Sequence, residues 1–365
     1  MHPPGRATAS LRLAIAALVA LACCSCTSRP LQGVLISTSE AVEGASQVPI
    51  LIGTTRVKSS ADPGEMFSRE ASSEMAFAEV TVSIPPDGSR TVGAIQWPSS
   101  PPGDPRKDFV TTSTEYLDRA GFNAALTNAA KTKRRSSAMV FVHGFNNRFD
   151  DAVYRYAQFV HDGRFPVIPV LYSWPSQGAP NLGSYEYDRK VAVQSGASLI
   201  QLVDLVNANP SIKDITFVCH SMGCLVTLAA LRVKGARGGA SKLKNVALVA
   251  PDISYEDFIS EISQIGPKRP RIALFLSQDD MALEISKKLA GGASRLGGDI
   301  NPEEEPYKSG FAQQKIIVFD LTRLGGDDAH SRAFNDVNSV MAMVQKRLAQ
   351  GQKLGEDKAR TTAAR

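Results

Sequence analysis

From Ala138 onward, short apolar runs alternate with longer amphipathic stretches, and this rhythm limits the chain more than any other feature. It predicts strands at 138–143, 167–173, 213–219, 244–250, 270–276 and 315–320. Helices are predicted at 150–162, 188–207, 222–234, 254–264, 280–289 and 332–349. Strand followed by helix, repeated, implies right-handed crossovers. The expected class is therefore α/β, a mostly parallel, doubly wound sheet with helices on both faces. Upstream, Val48 to Arg56 and Phe77 to Ile84 read as strands. Prolines and glycines between Pro85 and Lys107 leave room for only one short strand, Val92 to Trp97. The expected layout is a leader at 1–26, a β-rich N-terminal extension at 27–136 and an α/β domain at 137–350. A charged, Ala-rich tail at 351–365 is expected to be disordered.

A chain of 365 residues, 43% hydrophobic and 21% charged, has the composition of an ordinary globular protein. Its formal charge of +5 falls to +3 once Arg6 and Arg12 are removed with the leader, too little to argue for nucleic acid. The basic cluster Lys131 to Arg135 reads as a solvated loop before a buried strand. Arg6 and Arg12 precede the apolar run Leu13 to Ala22, which is too short for a comfortable membrane span and has a signal-peptide layout. Ala20-Leu21-Ala22-Cys23 resembles the lipobox of bacterial lipoproteins, with Ala where Leu is preferred three residues before the cysteine. That resemblance implies export and a lipid anchor at Cys23, with Cys24 and Cys26 as neighbouring alternatives and ordinary cleavage as the other outcome. Cys219 and Cys224 are expected to be buried small hydrophobes, a disulfide between a strand end and a helix start being geometrically unfavourable. No zinc-ligand spacing occurs, and no metal or organic cofactor is expected.

The run Ile215 to Thr227 drives an apolar strand into His220-Ser221-Met222-Gly223 and then a helical pattern, the layout of a nucleophile elbow. Cys219-x-Ser221-x-Gly223 replaces one small residue of the usual Gly-x-Ser-x-Gly by another. A serine hydroxyl needs a base, and the base needs a carboxylate to hold its tautomer. His2 lies in the leader, His143 closes a strand, His161 sits in a helix, and His220 points away from its neighbouring serine. His330 remains, in a loop after the last strand. In the order serine, acid, histidine, the acid falls between Ser221 and His330. Asp280 is favoured by spacing, Asp279 is not excluded, and Asp252 reads better as a cap or loop residue. Gly144, at the end of an earlier strand, permits a turn that presents the backbone N–H of Phe145 or Asn146 opposite that of Met222. Together these N–H groups would form an oxyanion hole.

These residues resemble the bacterial α/β-hydrolases of the DUF900 type, described as esterase- or lipase-like. The resemblance is carried by Phe141-Val142-His143-Gly144-Phe145-Asn146-Asn147, Tyr172-Ser173-Trp174-Pro175-Ser176 and His220-Ser221-Met222-Gly223. It continues in Ala250-Pro251-Asp252 and Ser277-Gln278-Asp279-Asp280-Met281-Ala282-Leu283. It implies an α/β-hydrolase fold, and its Asp-x-Ala-Leu motif falls on Asp280. Cys224 departs from the family, which commonly has Asn there. The expectation is an exported carboxylic ester hydrolase acting on a small-molecule ester. A non-catalytic envelope lipoprotein and an acyltransferase are the alternatives. No amphipathic lid is evident, so esterase action is favoured over lipase action. Residues Gly178 to Tyr187 are a candidate rim, and Trp174 is assigned to the core.

Overall fold

A computed structural model of the chain describes residues 29–60, 64–236, 239–289, 292–326 and 328–349. The leader with Cys23, Cys24 and Cys26, and the tail from Gly351, lie outside the described residues. Strands β1 (Ser46–Lys58), β2 (Phe67–Ile84) and β3 (Val110–Leu117) come first, followed by α1 (Arg119–Thr132). Then come β4 (Ser137–Val142), α2 (Phe149–Asp162), β5 (Ile168–Ser173), α3 (Leu182–Ala208) and β6 (Asp214–His220). The chain continues through α4 (Gly223–Ala236), β7 (Leu243–Val249), α5 (Tyr255–Ile265), β8 (Arg271–Leu276) and α6 (Met281–Leu289). It closes with α7 (Tyr307–Gln313), β9 (Ile317–Asp320), α8 (Arg332–Asn335) and α9 (Val337–Ala349).

All the strands join one sheet in the order β3-β2-β1-β5-β4-β6-β7-β8-β9. The run from β1 to β9 across this order is parallel, and only β2 is antiparallel to its neighbours. The N-terminal extension is therefore continuous with the central sheet through the β1–β5 pairing, Leu51 to Thr54 against Val170 to Ser173. Strand β4 shows why both faces need cover, since successive side chains leave a sheet on opposite sides. Ala138, Val140 and Val142 enter the core under α1, α3, α4 and α5. Met139 and Phe141 enter the core under α2 and α9. At the crossing of α3 and α4, a Cβ on Gly196 would lie 2.7 Å from that of Ala229, so glycine sets the closeness of these helices.

Several sequence expectations need correction. Val92 to Trp97 is not a strand: Gly93 takes φ +84°, and Trp97 stacks on Tyr154 at 5.1 Å instead of pairing. Strand β2 starts ten residues earlier than expected, because its first half pairs with the end of β1 beyond the reach of the buried alternation. Strand β3 and helix α1 were not foreseen; Asp118 caps α1 by accepting from Gly121 N. Helix α3 starts at Leu182, six residues before the expected position, since Asn181 caps it by accepting from Ser184 N at 2.9 Å. Half of the candidate rim is thus the first turn of a helix. The predicted helix at 332–349 breaks at Asp336 into α8 and α9.

Candidate active site

Parallel strands deliver their C-terminal loops to one end of the sheet, and the chemistry-bearing residues gather there. Strand β6 ends at His220, and Ser221 follows with φ +50° before α4 begins at Gly223. A non-glycine residue in that region costs of order 1–3 kcal/mol, so the surrounding fold must hold it there. Contact with β4 explains the glycine two positions later. A Cβ on Gly223 would lie 2.2 Å from the His143 carbonyl oxygen. Gly144 sits on the other side, where a Cβ would approach that of Ser221 to 3.1 Å. The loop after β4 and the elbow after β6 are thus in van der Waals contact.

Tight folding of the elbow also brings Cys219 and Cys224 together as a disulfide with Cα atoms 5.0 Å apart. This corrects the expectation of two separate buried thiols. An extended strand running into a helix would part them, but the left-handed residue at Ser221 turns the chain back and brings the Cα atoms within bridging range. The crosslink brackets the serine.

His330 and Asp280 meet across 50 residues of sequence, Nδ1 to Oδ2 at 2.7 Å. Asp280 is buried, and its Oδ1 also accepts from Leu283 N at the start of α6. Burial opposes a charge on His330, but Asp280, with Asp328 and Asp252 farther off, outweighs it and raises the imidazole to about 9. Asp279 has another partner, the Arg332 guanidinium, in a two-pronged contact at 2.8 and 2.7 Å. Arg332 lies two residues after His330, so this clamp holds the histidine loop against the end of β8. Asp252 accepts from Tyr185 Oη at 2.8 Å and from Ser286 Oγ, with Arg295 Nε at 3.4 Å. It serves a buried network beside the elbow.

His220, beside Ser221, places its Nε2 3.0 Å from the His330 carbonyl oxygen, with the two rings 4.6 Å apart. A ring nitrogen facing a carbonyl must carry the proton, so His220 donates. Burial, then the neighbouring His330, keeps it well below the ordinary histidine range and therefore neutral. Ser221 Oγ makes no hydrogen bond among the described residues; catalytic hydrogen bonds commonly tighten only when substrate arrives.

None of the N–H groups of Phe145, Asn146 and Met222 makes a hydrogen bond among the described residues, although that of Asn146 lies near enough to the Asp188 carboxylate to favour its charge. The loop between them is held from β1. Buried Arg56 donates from Nε to Ser173 Oγ, from Nη1 to Ser176 O and from Nη2 to Asn147 O, at 3.0, 3.0 and 2.9 Å. Burial, followed by Arg56, lowers His143 to about 3. The neutral ring donates from Nδ1 to Gly144 O at 2.9 Å and accepts from Ser173 Oγ at Nε2. Trp174 is fully buried and donates to His143 O at 2.7 Å. Arg56, Arg332 and the support role of His220 were missed at the sequence level. Their only local signals are an arginine in an apolar strand and a basic residue beside the histidine loop.

Among the described residues no cluster of three His, Cys, Asp or Glu side chains could hold a metal ion. His161 lies far along α2 with its Nε2 3.3 Å from Asp87 and takes no part in the site.

No curated protein gives a significant sequence match. Among solved structures, a lipase-esterase related protein from Clostridium acetobutylicum is 12% identical. That match covers 59% of this chain and 95% of that one, with a TM-score of 0.29. An esterase from Rhizomucor miehei is 10% identical over 96% of this chain and 100% of that one, with a TM-score of 0.36. Brefeldin A esterase, described as a bacterial homologue of human hormone sensitive lipase, is 11% identical over 96% and 87%, with a TM-score of 0.35. Residues 118–347, from the cap of α1 to the last turns of α9, match the family described as alpha/beta hydrolase of unknown function (DUF900). The chain has the α/β-hydrolase fold and belongs to that family.

Proposed function

We propose that this protein is a serine hydrolase of carboxylic esters, working through an acyl-enzyme. Ser221 attacks the acyl carbonyl, and His330 takes the hydroxyl proton and passes it to the leaving alkoxide. Asp280 holds the imidazole with its other nitrogen toward the serine. The N–H groups of Phe145 and Met222 receive the oxyanion, with that of Asn146 as the alternative to Phe145. Water then attacks the acyl carbon, with His330 as base and Ser221 as leaving group. One observation carries the reading: a His-Asp pair at 2.7 Å packs against the residue preceding a serine in a strained strand-to-helix turn.

We further propose that the chain is exported and anchored through a lipid on one of Cys23, Cys24 and Cys26. The leader composition and the Cys219–Cys224 disulfide support export, since such bonds persist in oxidising compartments. The test of the chemistry is labelling with a fluorophosphonate probe beside turnover of p-nitrophenyl esters of increasing chain length. Wild-type protein should label and turn over, and Ser221→Ala should do neither. Equal labelling of the two would end the proposal.

A further inference from the structure

The three most exposed large apolar side chains among the described residues are Leu31, Met281 and Leu182, at 88%, 61% and 50%. All three stand at the catalytic end of the sheet. Leu182 opens α3 after β5, Met281 opens α6 directly after Asp280, and Leu31 lies on the chain where it enters the fold. Their supports adjoin. Arg148, after the oxyanion loop, donates to Pro30 O and Leu31 O at 2.8 and 2.9 Å. Gly178, four residues before Leu182, packs so closely on Arg148 that a Cβ would lie 2.6 Å from its side chain. Tyr185, in the first turn of α3, shares a 2.7 Å hydrogen bond with Ser286 of α6. Its ring also meets Phe145 edge-on at 5.5 Å.

The point of chain entry gives this apolar rim an occupant. Arg29 is paired with Asp151 and donates to Asn146 O and Gly178 O at 3.4 and 3.3 Å, so it is fastened to the oxyanion loop itself. Cys23 is six residues before Arg29, and six residues span at most about 20 Å. A globular unit of this size is about 50 Å across. A lipid on any of the three leader cysteines would therefore hold the bilayer near the catalytic end and out of reach of the opposite one. A single acyl chain binds membranes only marginally, so apolar side chains entering the interface beside the tether would add to the hold.

We infer that the rim formed by Leu31, Leu182 and Met281 docks on a lipid bilayer, with the Ser221 site opening toward the membrane surface. This orientation rests on the anchor proposed above, and it names the substrate class: acyl esters that reside in, or partition into, a bilayer. An amphiphilic ester would present its carbonyl to the serine without leaving the interface.

The test places a fluorophore on each end of the full chain. Leu182→Trp and Met281→Trp are compared with Val92→Trp, which lines the cleft beside Ser46 and Pro169 at the amino end of the sheet. Each protein is reconstituted in phosphatidylethanolamine and phosphatidylglycerol vesicles whose acyl chains carry bromine as a quencher. The tryptophans at 182 and 281 should lose most of their added fluorescence, and that at 92 should keep it. Equal quenching at both ends, quenching at 92 alone, or failure of the chain to enter the vesicles would overturn the inference. Turnover of a water-soluble p-nitrophenyl ester in the same samples reports on the hydrolase reading independently, since quenching needs no catalysis.

Discussion

The two ends of the central sheet are built differently. At the carboxyl end, Asn146, Ser221 and Ala250 all take positive φ, and carboxylates are spent on specific partners: Asp280 on His330, Asp279 on Arg332, Asp252 on Tyr185 and Ser286. At the amino end, a cleft of about 360 Å³ holds a looser mixture of charge, including Lys133, Arg135 and Arg164. Its floor is Arg90, paired with Asp162 at 2.5 Å, while exposed Asp87 pairs with half-buried His161. The basic cluster read as a solvated loop contributes Lys133 and Arg135 to this cleft. Positive φ is found at both ends, since Arg134, Arg164 and Lys315 adopt it just before β4, β5 and β9; what sets the carboxyl end apart is that its left-handed Ser221 is buried and follows His220, whose ring lies 4.6 Å from that of His330. A buried left-handed residue survives where the surroundings over-determine its geometry, whereas Arg134, Arg164 and Lys315 adopt theirs in exposed turns.

The contrast breaks most sharply at Asp280. Asp280→Asn should lower kcat by about 10³–10⁴-fold, because the amide no longer fixes the tautomer of His330. It should also move the pH profile. In the proposed mechanism His330 must be neutral to act as base, and its rise to about 9 puts the ascending limb of kcat/KM in the alkaline range. Loss of the carboxylate leaves burial to dominate, so the limb of the residual activity should shift down toward or below pH 6.5. A limb that stays near 9 would show that Asp280 is not the partner that matters. The sign for stability is the same: a raised histidine value stabilises the fold below about pH 6.5, and that contribution disappears as the pH climbs through about 9.

A smaller effect is expected at the crosslink. The loop between Cys219 and Cys224 is short, so Cys224→Ser should cost about 2 kcal/mol of stability on chain-entropy grounds, read as a lower denaturant midpoint. The same loss should follow mild reduction of the wild-type protein and be absent on reduction of the variant. The smallest change belongs to the amino end, where Arg164→Ala should alter stability by no more than about 0.5 kcal/mol and leave ester turnover as it was. A large loss of turnover there would dissolve the distinction between the two ends.

Much of this is legible in the sequence. Six strands after Ala138 fall within one or two residues of their expected limits, since short, nearly continuous apolar runs bounded by polar residues are local signals. The elbow was visible as small residues around Ser221, and His330 stood out by elimination among few histidines. The N-terminal region was read less well. Strand β2 runs ten residues beyond its buried alternation, and Val92 to Trp97 has strand-like composition but packs as a loop.

The chain's own order thus determined the layering, the sheet direction and the residue types available at the candidate site, because periodicity and turn chemistry act over a few residues. Tertiary structure decided which partners those residues meet. Asp279 and Asp280 are neighbours in sequence, yet one faces Arg332 and the other His330. Cys219 and Cys224 bond only because Ser221 turns the backbone between them. Arg56 reaches the loop after β4 only because β1 lies beside β5 in the sheet. Each of these contacts depends on the angle of one bond or the neighbour of one strand, set by packing across the whole molecule.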